Sequence, residues 1–400
     1  MRPCGTADTA DTAVAHQDVV LSVVIMTHPN RAEHLAELIA ACAPLTPRTV
    51  VDPDPGSFRS ALRTAKAAWA AVSTGATHHL VLQDDVVPVP DFARQVRDAI
   101  EARPRDAIAL YSNWNSPQNS YLVRRAAACG SAWAPLSPVE WTPTLGLVLP
   151  ADEARQLAAH LAPIPDEVAD DDQMVVLYCQ EAGLPVFATV PHLVDHRGAP
   201  SLSEHPGSFH ATVVDRRPVP AEHWRSTPEA LVEALRGRAA LDRPDEFGVE
   251  LRHSRCSLRF IRPGTPEPIG HVFGWYWRDW CAAAGVDAAR VEETLNAHLH
   301  DSVPTAVAVE VWAACYLLGR DSGGITAAAG AVPGHDGVRR VRAAVRSWLA
   351  SGIAEADRPA DGLDGLTELG VAAVSQGMAD APSPSGVTSR TGGPRVGSDR

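Results

Sequence analysis

The chain has 400 residues, 45% of them hydrophobic, and a formal net charge of −13. The negative charge argues against a nucleic-acid partner, because nucleic-acid binding relies on Lys and Arg side chains that neutralise phosphates. No apolar run approaches the roughly 20 residues of a membrane-spanning helix, and the length predicts one domain of about 200 to 250 residues with a smaller second one.

The cysteines and the first residues indicate where the protein works. Seven cysteines are scattered along the chain, odd in number and without a CxxC pair. This pattern favours reduced thiols over a disulfide framework or a zinc site, and so predicts a cytoplasmic protein. Residues 1–18 are polar and lack the basic start and apolar core of a secretory signal, so we expect a flexible tail there.

Three strand and helix pairs follow in chain order. The first strand, Leu21–Thr27, is apolar and rich in β-branched residues, and Asn30 is placed to cap a helix after it. Residues 50–52 and His78–Gln83 predict two further strands, each followed by a helical pattern. Such alternation predicts a parallel sheet with helices on both faces, whose ligand binds at the carboxyl ends of the strands.

The remaining patterns divide the chain into an α/β domain and a second region. Strands are predicted at residues 107–111, 144–150 and 185–190, with helices at 151–161 and 172–182. We expect the α/β domain over 19–227 and a mainly helical accessory domain over 228–352. Gly, Pro, Ser and Asp accumulate beyond that point, which predicts a largely disordered tail over 353–400.

The segment Gln83-Asp84-Asp85 comes directly out of an apolar strand. Two carboxylates would then lie at the ligand-binding edge of the sheet, and Mg²⁺ or Mn²⁺ would balance their charge together with the oxygens of a diphosphate. Such an ion offsets charge on a departing diphosphate. The alternative is an acidic turn whose carboxylates make local backbone hydrogen bonds.

A second acidic cluster, Asp170-Asp171-Asp172, precedes an apolar helical pattern. Carboxylates at a helix N-terminus are stabilised by the helix dipole and by free N–H groups, so a capped helix explains the cluster without any function. The alternative is that one of the three carboxylates is a general base, which requires that it lie within hydrogen-bond reach of a nucleophile.

Residues 19–198 resemble the GT-A glycosyltransferases, particularly glycosyltransferase family 2. The similar segments are LSVVIMTHPNRAEHLAELI, VVDPDPGS and HHLVLQDDVVPVPDF. The resemblance implies a GT-A fold, which is a Rossmann-like mixed sheet that binds nucleotide-diphosphate sugars. It also implies an inverting transfer that depends on a divalent metal, from a UDP-, GDP- or dTDP-sugar to a hydroxyl or other nucleophile of an unknown acceptor.

The resemblance also assigns roles to residues. It implies that the donor contacts Thr27, Asn30, Arg31, Asp52, Gln83, Asp84 and Arg197, that Asp85 and His196 bind Mn²⁺ or Mg²⁺, and that Asp171, or else Asp172, is the catalytic base. Gln83 departs from the family, which usually has an acidic residue there, and an amide adds no charge at a metal. A metal-independent enzyme therefore remains an alternative.

Two other functions fit the same sheet. A catalytically silent GT-A-like protein would keep the fold as a binding or scaffolding module, since a fold alone does not fix a function. A sugar-phosphate nucleotidyltransferase is the less favoured alternative, because the first strand is followed by THPNRAEHL and not by a Gly-rich phosphate loop.

Overall fold

The computed structural model describes residues 18–167, 170–198, 209–239, 247–261, 268–269, 276–284, 286–299, 304–330 and 335–381. The strands are β1 Leu21–Thr27, β2 Arg48–Val51, β3 His78–Gln83, β4 Val86–Pro88, β5 Ala107–Ala109, β6 Trp133–Pro135, β7 Gly146–Pro150, β8 Val186–Thr189, β9 Val194–His196, β10 Phe247–Arg252, β11 Arg255–Ile261 and β12 Pro268–Ile269.

The α-helices are α1 Leu35–Ala41, α2 Ala61–Ala70, α3 Phe92–Ala102, α4 Asn119–Ala128, α5 Ala151–Leu161, α6 Asp171–Ala182, α7 Ala221–Arg225, α8 Glu229–Ala239, α9 Trp277–Ala284, α10 Ala288–Asn296, α11 Thr305–Ala329, α12 His335–Gly352 and α13 Asp364–Ala379. Short 3₁₀ helices at Pro29–His34 and Glu355–Asp357 precede α1 and α13. The predicted α/β class is confirmed.

A seven-stranded mixed sheet has the order β2-β1-β3-β7-β5-β8-β6. Strand β1 is parallel to β2 and β3, and β5 is parallel to β8. Because β7 is antiparallel to both β3 and β5, the strands β1, β2, β3, β5 and β8 all point the same way. Their carboxyl ends therefore meet at one edge of the sheet.

Both faces of this sheet are covered by helices. Along β1, Val24 and Met26 point into one apolar cluster and Val23 and Ile25 into the other, as the alternation of side chains along a strand requires. Helices α2, α4, α5, α6 and α8 contribute to the first cluster, and α1, α3 and α7 contribute to the second. The apolar run of β1 is thus explained by burial on both faces.

A small two-stranded sheet joins distant parts of the chain. Strand β4, which follows β3, pairs antiparallel with β9, and Val86 lies opposite His196. This pairing places the residues that follow β8 beside the residues that follow β3. It is the element that brings His196 to Asp85.

The C-terminal part contains a third apolar cluster. Helices α9 to α13 pack with β10 and β11 of an antiparallel sheet, β10-β11-β12, which the sequence did not predict. Helix α8 packs on the central sheet through Leu231 and Leu235. The boundary predicted at residue 228 therefore precedes a helix that belongs to the core of the α/β domain.

The predicted tail over 353–400 contains a folded helix. In α13, Leu366, Leu369, Ala373 and Val374 are buried in the third cluster. The prediction of disorder is wrong for this segment, because six of the 16 residues of α13 are Gly or Ala and they let the helix lie close against α11. Residues 1–17 and 382–400, where tails were also expected, lie outside the described residues.

None of the helices within the described ranges is both long enough and apolar enough to cross a bilayer. The 25-residue helix α11 illustrates the reason, because it carries Glu310, Arg320 and Asp321. The expectation of no membrane span agrees with this.

The close approach of α11 and α13 gives a stability prediction. A Cβ added at Gly319 would lie 2.1 Å from the carbonyl oxygen of Val374, and one at Gly377 would lie 2.0 Å from that of Tyr316. Gly319→Ala should therefore lower the free energy of unfolding by about 1–3 kcal/mol, as overpacking does. Chemical denaturation would measure this change in the free energy of unfolding, provided that the variant and the parent have the same m-value.

Gly324→Ala is the matched control on the same helix. A Cβ there meets nothing within 4 Å, so the substitution should stabilise the protein by about 0.5–1 kcal/mol through helix propensity. Equal destabilisation by the two variants would contradict the close packing of α11 on α13.

Candidate functional site

Three neighbouring parallel strands end in polar side chains at the same edge of the sheet. Thr27 is in register with Val51 of β2, and Met26 is in register with Gln83 of β3. The backbone N–H of Asp52 donates to the carbonyl oxygen of Thr27 at 3.0 Å. The carboxyl ends of β1, β2 and β3 therefore form one cluster, in which the acidic groups need positive partners.

Asp84 is buried and its carboxylate is fully engaged. The Thr27 hydroxyl and the His28 backbone N–H donate to Oδ2 at 2.7 and 3.0 Å. Nη1 of Arg31 lies 3.2 Å from Oδ1. Asp84 therefore anchors the loop after β1 and positions Arg31.

Asp85 has one engaged and one free oxygen. Its Oδ2 accepts from Arg31 and lies 3.4 Å from Nε2 of His196, whereas its buried Oδ1 has no hydrogen-bond partner. Burial favours the neutral acid, but the hydrogen bonds and charges of His196 and Arg31 prevail and lower the pKa of Asp85. The residue is thus held as a carboxylate with one buried oxygen that has no hydrogen-bond partner.

His196 lies beside Asp85, but its hydrogen bonds argue against the predicted metal-ligand role. Its Nδ1 accepts the backbone N–H of Gly198 at 2.9 Å. In the neutral ring the proton must then be on Nε2, which faces Asp85. A ligating histidine needs a free nitrogen on the metal side and usually donates from the other nitrogen. His196 is therefore placed to donate to Asp85 and orient it.

The other residues expected around the donor differ in their surroundings. Asn30 does not cap a helix, because His28 is the N-cap of the 3₁₀ helix and its Nδ1 accepts the Asn30 N–H at 3.2 Å. Arg197 donates its backbone N–H to the Asp85 carbonyl at 2.8 Å, while its guanidinium pairs with Glu37 of α1 at 3.0 Å. Asn30 is exposed, and Arg197 lies at the cluster.

Asp52 forms a buried ion pair with a residue that the sequence did not single out. Arg63 of α2 donates from Nε to Oδ1 at 2.7 Å and from Nη2 to Oδ2 at 2.8 Å. The hydrogen bonds from Arg63 lower the pKa of Asp52 in spite of its burial. Asp52 lies at the predicted edge, but most of its hydrogen-bonding capacity holds α2 in place.

Gln83 connects this cluster to the second acidic group. Its side-chain amide donates to the Thr144 hydroxyl at 3.2 Å. In the same loop, the backbone N–H of Thr142 donates to the carbonyl oxygen of Asp172 at 3.3 Å, and the Thr144 side chain acts to lower the pKa of Asp171, at the start of α6. Gln83 therefore contacts a neighbouring loop, and the structure brings Asp171 to the same region as Asp84 and Asp85.

Asp171 and Asp172 are acids that titrate near neutrality. Burial raises the pKa of Asp171 to about 6, against the opposing effect of the Thr144 hydrogen bond. Burial and the charges of Asp171 and Asp170 raise the pKa of Asp172 to about 7. Asp171 is 5% exposed and its Oδ2 has no hydrogen-bond partner, whereas Oδ1 of Asp172 accepts the Gln173 N–H.

A divalent ion fits this site only with help from a ligand. Within the ranges that the structure describes, no group of three or more His, Cys, Asp or Glu side chains could hold a metal by itself. The free buried Oδ1 of Asp85 supplies one hard ligand. Because Mg²⁺ is commonly bound by one or two carboxylates together with phosphate oxygens and water, the donor set suits an ion that arrives with a diphosphate.

No protein-family model matches the chain, and a search of curated proteins finds no match to it.

Sequence reasoning missed the partners that hold the acidic residues. Arg63, Thr144 and the backbone of His28 contact Asp52, Asp171 and Asp84. Tyr111 is buried at the end of β5, where burial and the charges of Asp195 and Asp85 raise its pKa. The general rule that a buried acid needs a cation or a hydroxyl beside it predicts that such partners exist. It does not tell which residue of the sequence each partner is.

The raised pKa of Asp171 predicts a pH-dependent stability. An acid whose pKa is about 6 when folded and about 4 when unfolded destabilises the protein as pH rises between those values. Asp171→Asn removes this cost, so above pH 6 the variant should be more stable than the parent by at most about 3 kcal/mol. Denaturant titrations from pH 4 to 8 would measure the difference.

The gain should shrink to about 0.4 kcal/mol at pH 4, where the parent residue is protonated in the folded state and about half protonated in the unfolded state. Asp152→Asn is the control because Asp152 lies in the first turn of α5 with its side chain 90% exposed. A constant difference between Asp171→Asn and the parent at all pH values would contradict the raised pKa.

Proposed function

We propose that the protein transfers a sugar from a nucleotide-diphosphate sugar to a hydroxyl of an acceptor, with inversion at the anomeric carbon. One observation carries the proposal. The carboxyl ends of β1, β2 and β3 gather Asp84, Asp85 and Arg31, and the Gln83–Thr144 contact links this cluster to a carboxylic acid whose pKa is near neutrality. The resemblance to GT-A enzymes predicts the same features, which are acidic residues at this edge of the sheet and a carboxylic acid that serves as the base.

The charges favour a diphosphate that binds with a cation. Asp84 and Asp85 carry two negative charges against the single positive charge of Arg31. A diphosphate would be repelled by the remaining negative charge unless a cation came with it. Asp85 would hold a Mn²⁺ or Mg²⁺ ion through its free Oδ1, and the chemistry that such an ion supplies is to offset charge on the leaving diphosphate.

The chain's own residues then have distinct tasks. Asp84 fixes the loop after β1 through Thr27 and His28, and His196 orients Asp85. Arg31 is close enough to both carboxylates to move onto a phosphate oxygen that arrives between them. Thr27, Asp52 and Arg197 lie around the same edge, where they would contact the nucleotide and its phosphates.

Asp171 is the proposed general base. It would accept the proton of the acceptor hydroxyl as the acceptor oxygen forms a bond to the anomeric carbon and the bond from that carbon to the diphosphate oxygen breaks. A base is most effective when its pKa is close to the working pH, and the buried Asp171 meets that condition. Asp172, which accepts the Gln173 N–H, is the second choice.

Donor binding tests the first half of this proposal. UDP-, GDP- and dTDP-sugars should raise the melting temperature of the parent protein, and Mn²⁺ should strengthen the effect by at least tenfold in affinity. Asp85→Ala should lose the dependence on Mn²⁺, because it removes the free carboxylate oxygen. Isothermal titration calorimetry would give the affinities.

Asp152→Ala, which removes an exposed carboxylate on α5, should bind like the parent. Donor binding of equal strength in Asp85→Ala and the parent, with Mn²⁺ present, would contradict the ion at Asp85. If no nucleotide sugar binds in any condition, the proposed function is wrong.

The role of Asp171 is tested by separating donor binding from transfer. Asp171→Asn should bind the donor as the parent does and lose sugar transfer or slow donor hydrolysis by about 10²–10⁴-fold. In the parent, the rate should fall as pH drops below about 6, where the base becomes protonated. A loss of donor binding in Asp171→Asn would assign this residue to the donor site instead.

A catalytically silent binding protein gives a different result in the same experiments. It would show donor binding that depends on Asp85, but neither hydrolysis nor transfer at any pH, and Asp171→Asn would change nothing except stability. The donor assay and the hydrolysis assay together therefore distinguish the enzyme from a binding module.

A further inference from the structure

A cavity lies between α4, the loop before it, β10 and α12. Its volume is about 20 Å³, room for one or two water-sized groups, and its walls include Trp114, Ser120, Arg124, Val249, Glu250 and Trp348. The exposed Asn115 and the partly exposed Glu250 are at its mouth, whereas Arg124 and Trp348 are buried. None of these residues belongs to the cluster around Asp84 and Asp85.

Arg124 is a buried cation on the wall of this cavity. It is 1% exposed, and its Nη2 donates to the carbonyl oxygen of Trp114 at 2.7 Å. Its Cζ lies 4.5 Å from the ring centroid of Trp348, and its Nε is buried without a hydrogen-bond partner. Among the described residues, the guanidinium is thus stabilised directly by a carbonyl group and an aromatic face.

The neighbouring Arg125 is an arginine of the same helix whose charge is compensated by an ion pair. Arg125 is also 1% exposed, and its Nη1 lies 3.1 Å from a carboxylate oxygen of Asp321. Arg124 has no such ion pair with any of the residues that the structure describes, although the charge of Glu250 acts on it from the cavity wall. The two adjacent arginines thus differ in charge compensation and not in burial.

An uncompensated buried charge is costly. Charged groups in protein interiors are normally paired, because a desolvated ion without a partner costs several kcal/mol. Burial lowers the pKa of Arg124 to about 9, so the group remains a cation at neutral pH. A cavity beside such a cation is a place where an anion would be stabilised.

We propose that this cavity is a second binding site that takes a small anionic group, a carboxylate or a phosphate, on the guanidinium of Arg124. A guanidinium presents a planar set of N–H donors that matches both groups.

The position of the cavity indicates which molecule would carry this group. Trp114 is in the loop that leaves β5, whose carboxyl end is at the same sheet edge as that of β3. The backbone N–H of Trp114 and the hydroxyl of Tyr111 both donate to the carbonyl oxygen of His210. The charge of Asp85 contributes to the raised pKa of Tyr111. Resting on the proposed transferase function, the anionic group would belong to the acceptor.

The test uses the full chain without any nucleotide sugar. Inorganic phosphate and benzoate are titrated by calorimetry and thermal shift, with sodium chloride at matched ionic strength as the reference. At least one of the two should bind saturably, and comparing them tells which kind of anion fits. Arg124→Gln should weaken that binding at least tenfold, whereas Arg97→Gln, which removes an exposed arginine of α3, should leave it unchanged.

A second variant covers the case in which Arg124→Gln fails to fold. Glu250→Gln removes negative charge from the cavity wall and should tighten anion binding severalfold. Unchanged anion affinity in either folded variant would overturn the proposal, and so would saturable binding of neither probe to the parent.

Donor titrations distinguish this result from the proposed function. Nucleotide-sugar binding should be equal in Arg124→Gln and the parent. If the anion binds at Arg124 but no nucleotide sugar binds anywhere, the second site stands and the transferase proposal falls.

Discussion

The structure depends on compensating negative charge at the carboxyl ends of three parallel strands. Asp52, Asp84 and Asp85 are buried there, and buried carboxylates require paired cations or hydrogen bonds. Arg63 reaches Asp52 from the helix after β2, and Arg31 reaches Asp84 and Asp85 from the turn after β1. The positions of the first helical turns are therefore set by electrostatics as well as by apolar packing. The pairing of β4 with β9 adds His196 to the same cluster.

The fold was predictable where local pattern and burial agree. The strands β1 and β3 are apolar runs between helical patterns, and they are buried on both faces as such runs predict. Helix α13 was missed because its packing on α11 uses Gly319 and Gly377. In a sequence, a segment rich in such small residues predicts disorder. The sheet β10-β11-β12 was missed although β10 and β11 form a local hairpin, because its two-residue turn is His253-Ser254 and lacks the Asn-Gly or Asp-Gly signal of such turns.

The acidic residues of the candidate site were predictable from the sequence. The hydrogen bonds and ion pairs that connect them were not. Asp84, Asp85 and Asp171 could be named from strand ends, a helix start and family resemblance. Their surroundings could not, since Thr144 lies 61 residues from Gln83 along the chain and contacts it only after folding. The proton position on His196 also follows from a contact, with the Gly198 N–H, that no residue pattern encodes.

Helix α4 is shared between two apolar clusters. Val123 and Ala126 pack in the cluster on the central sheet, while Tyr121 and Ala128 pack in the C-terminal cluster. Loss of either cluster would expose one side of this helix and also remove the salt bridge from Arg125 to Asp321 of α11. The two parts of the chain should therefore melt in a single cooperative transition, as one thermodynamic unit despite their separate sheets.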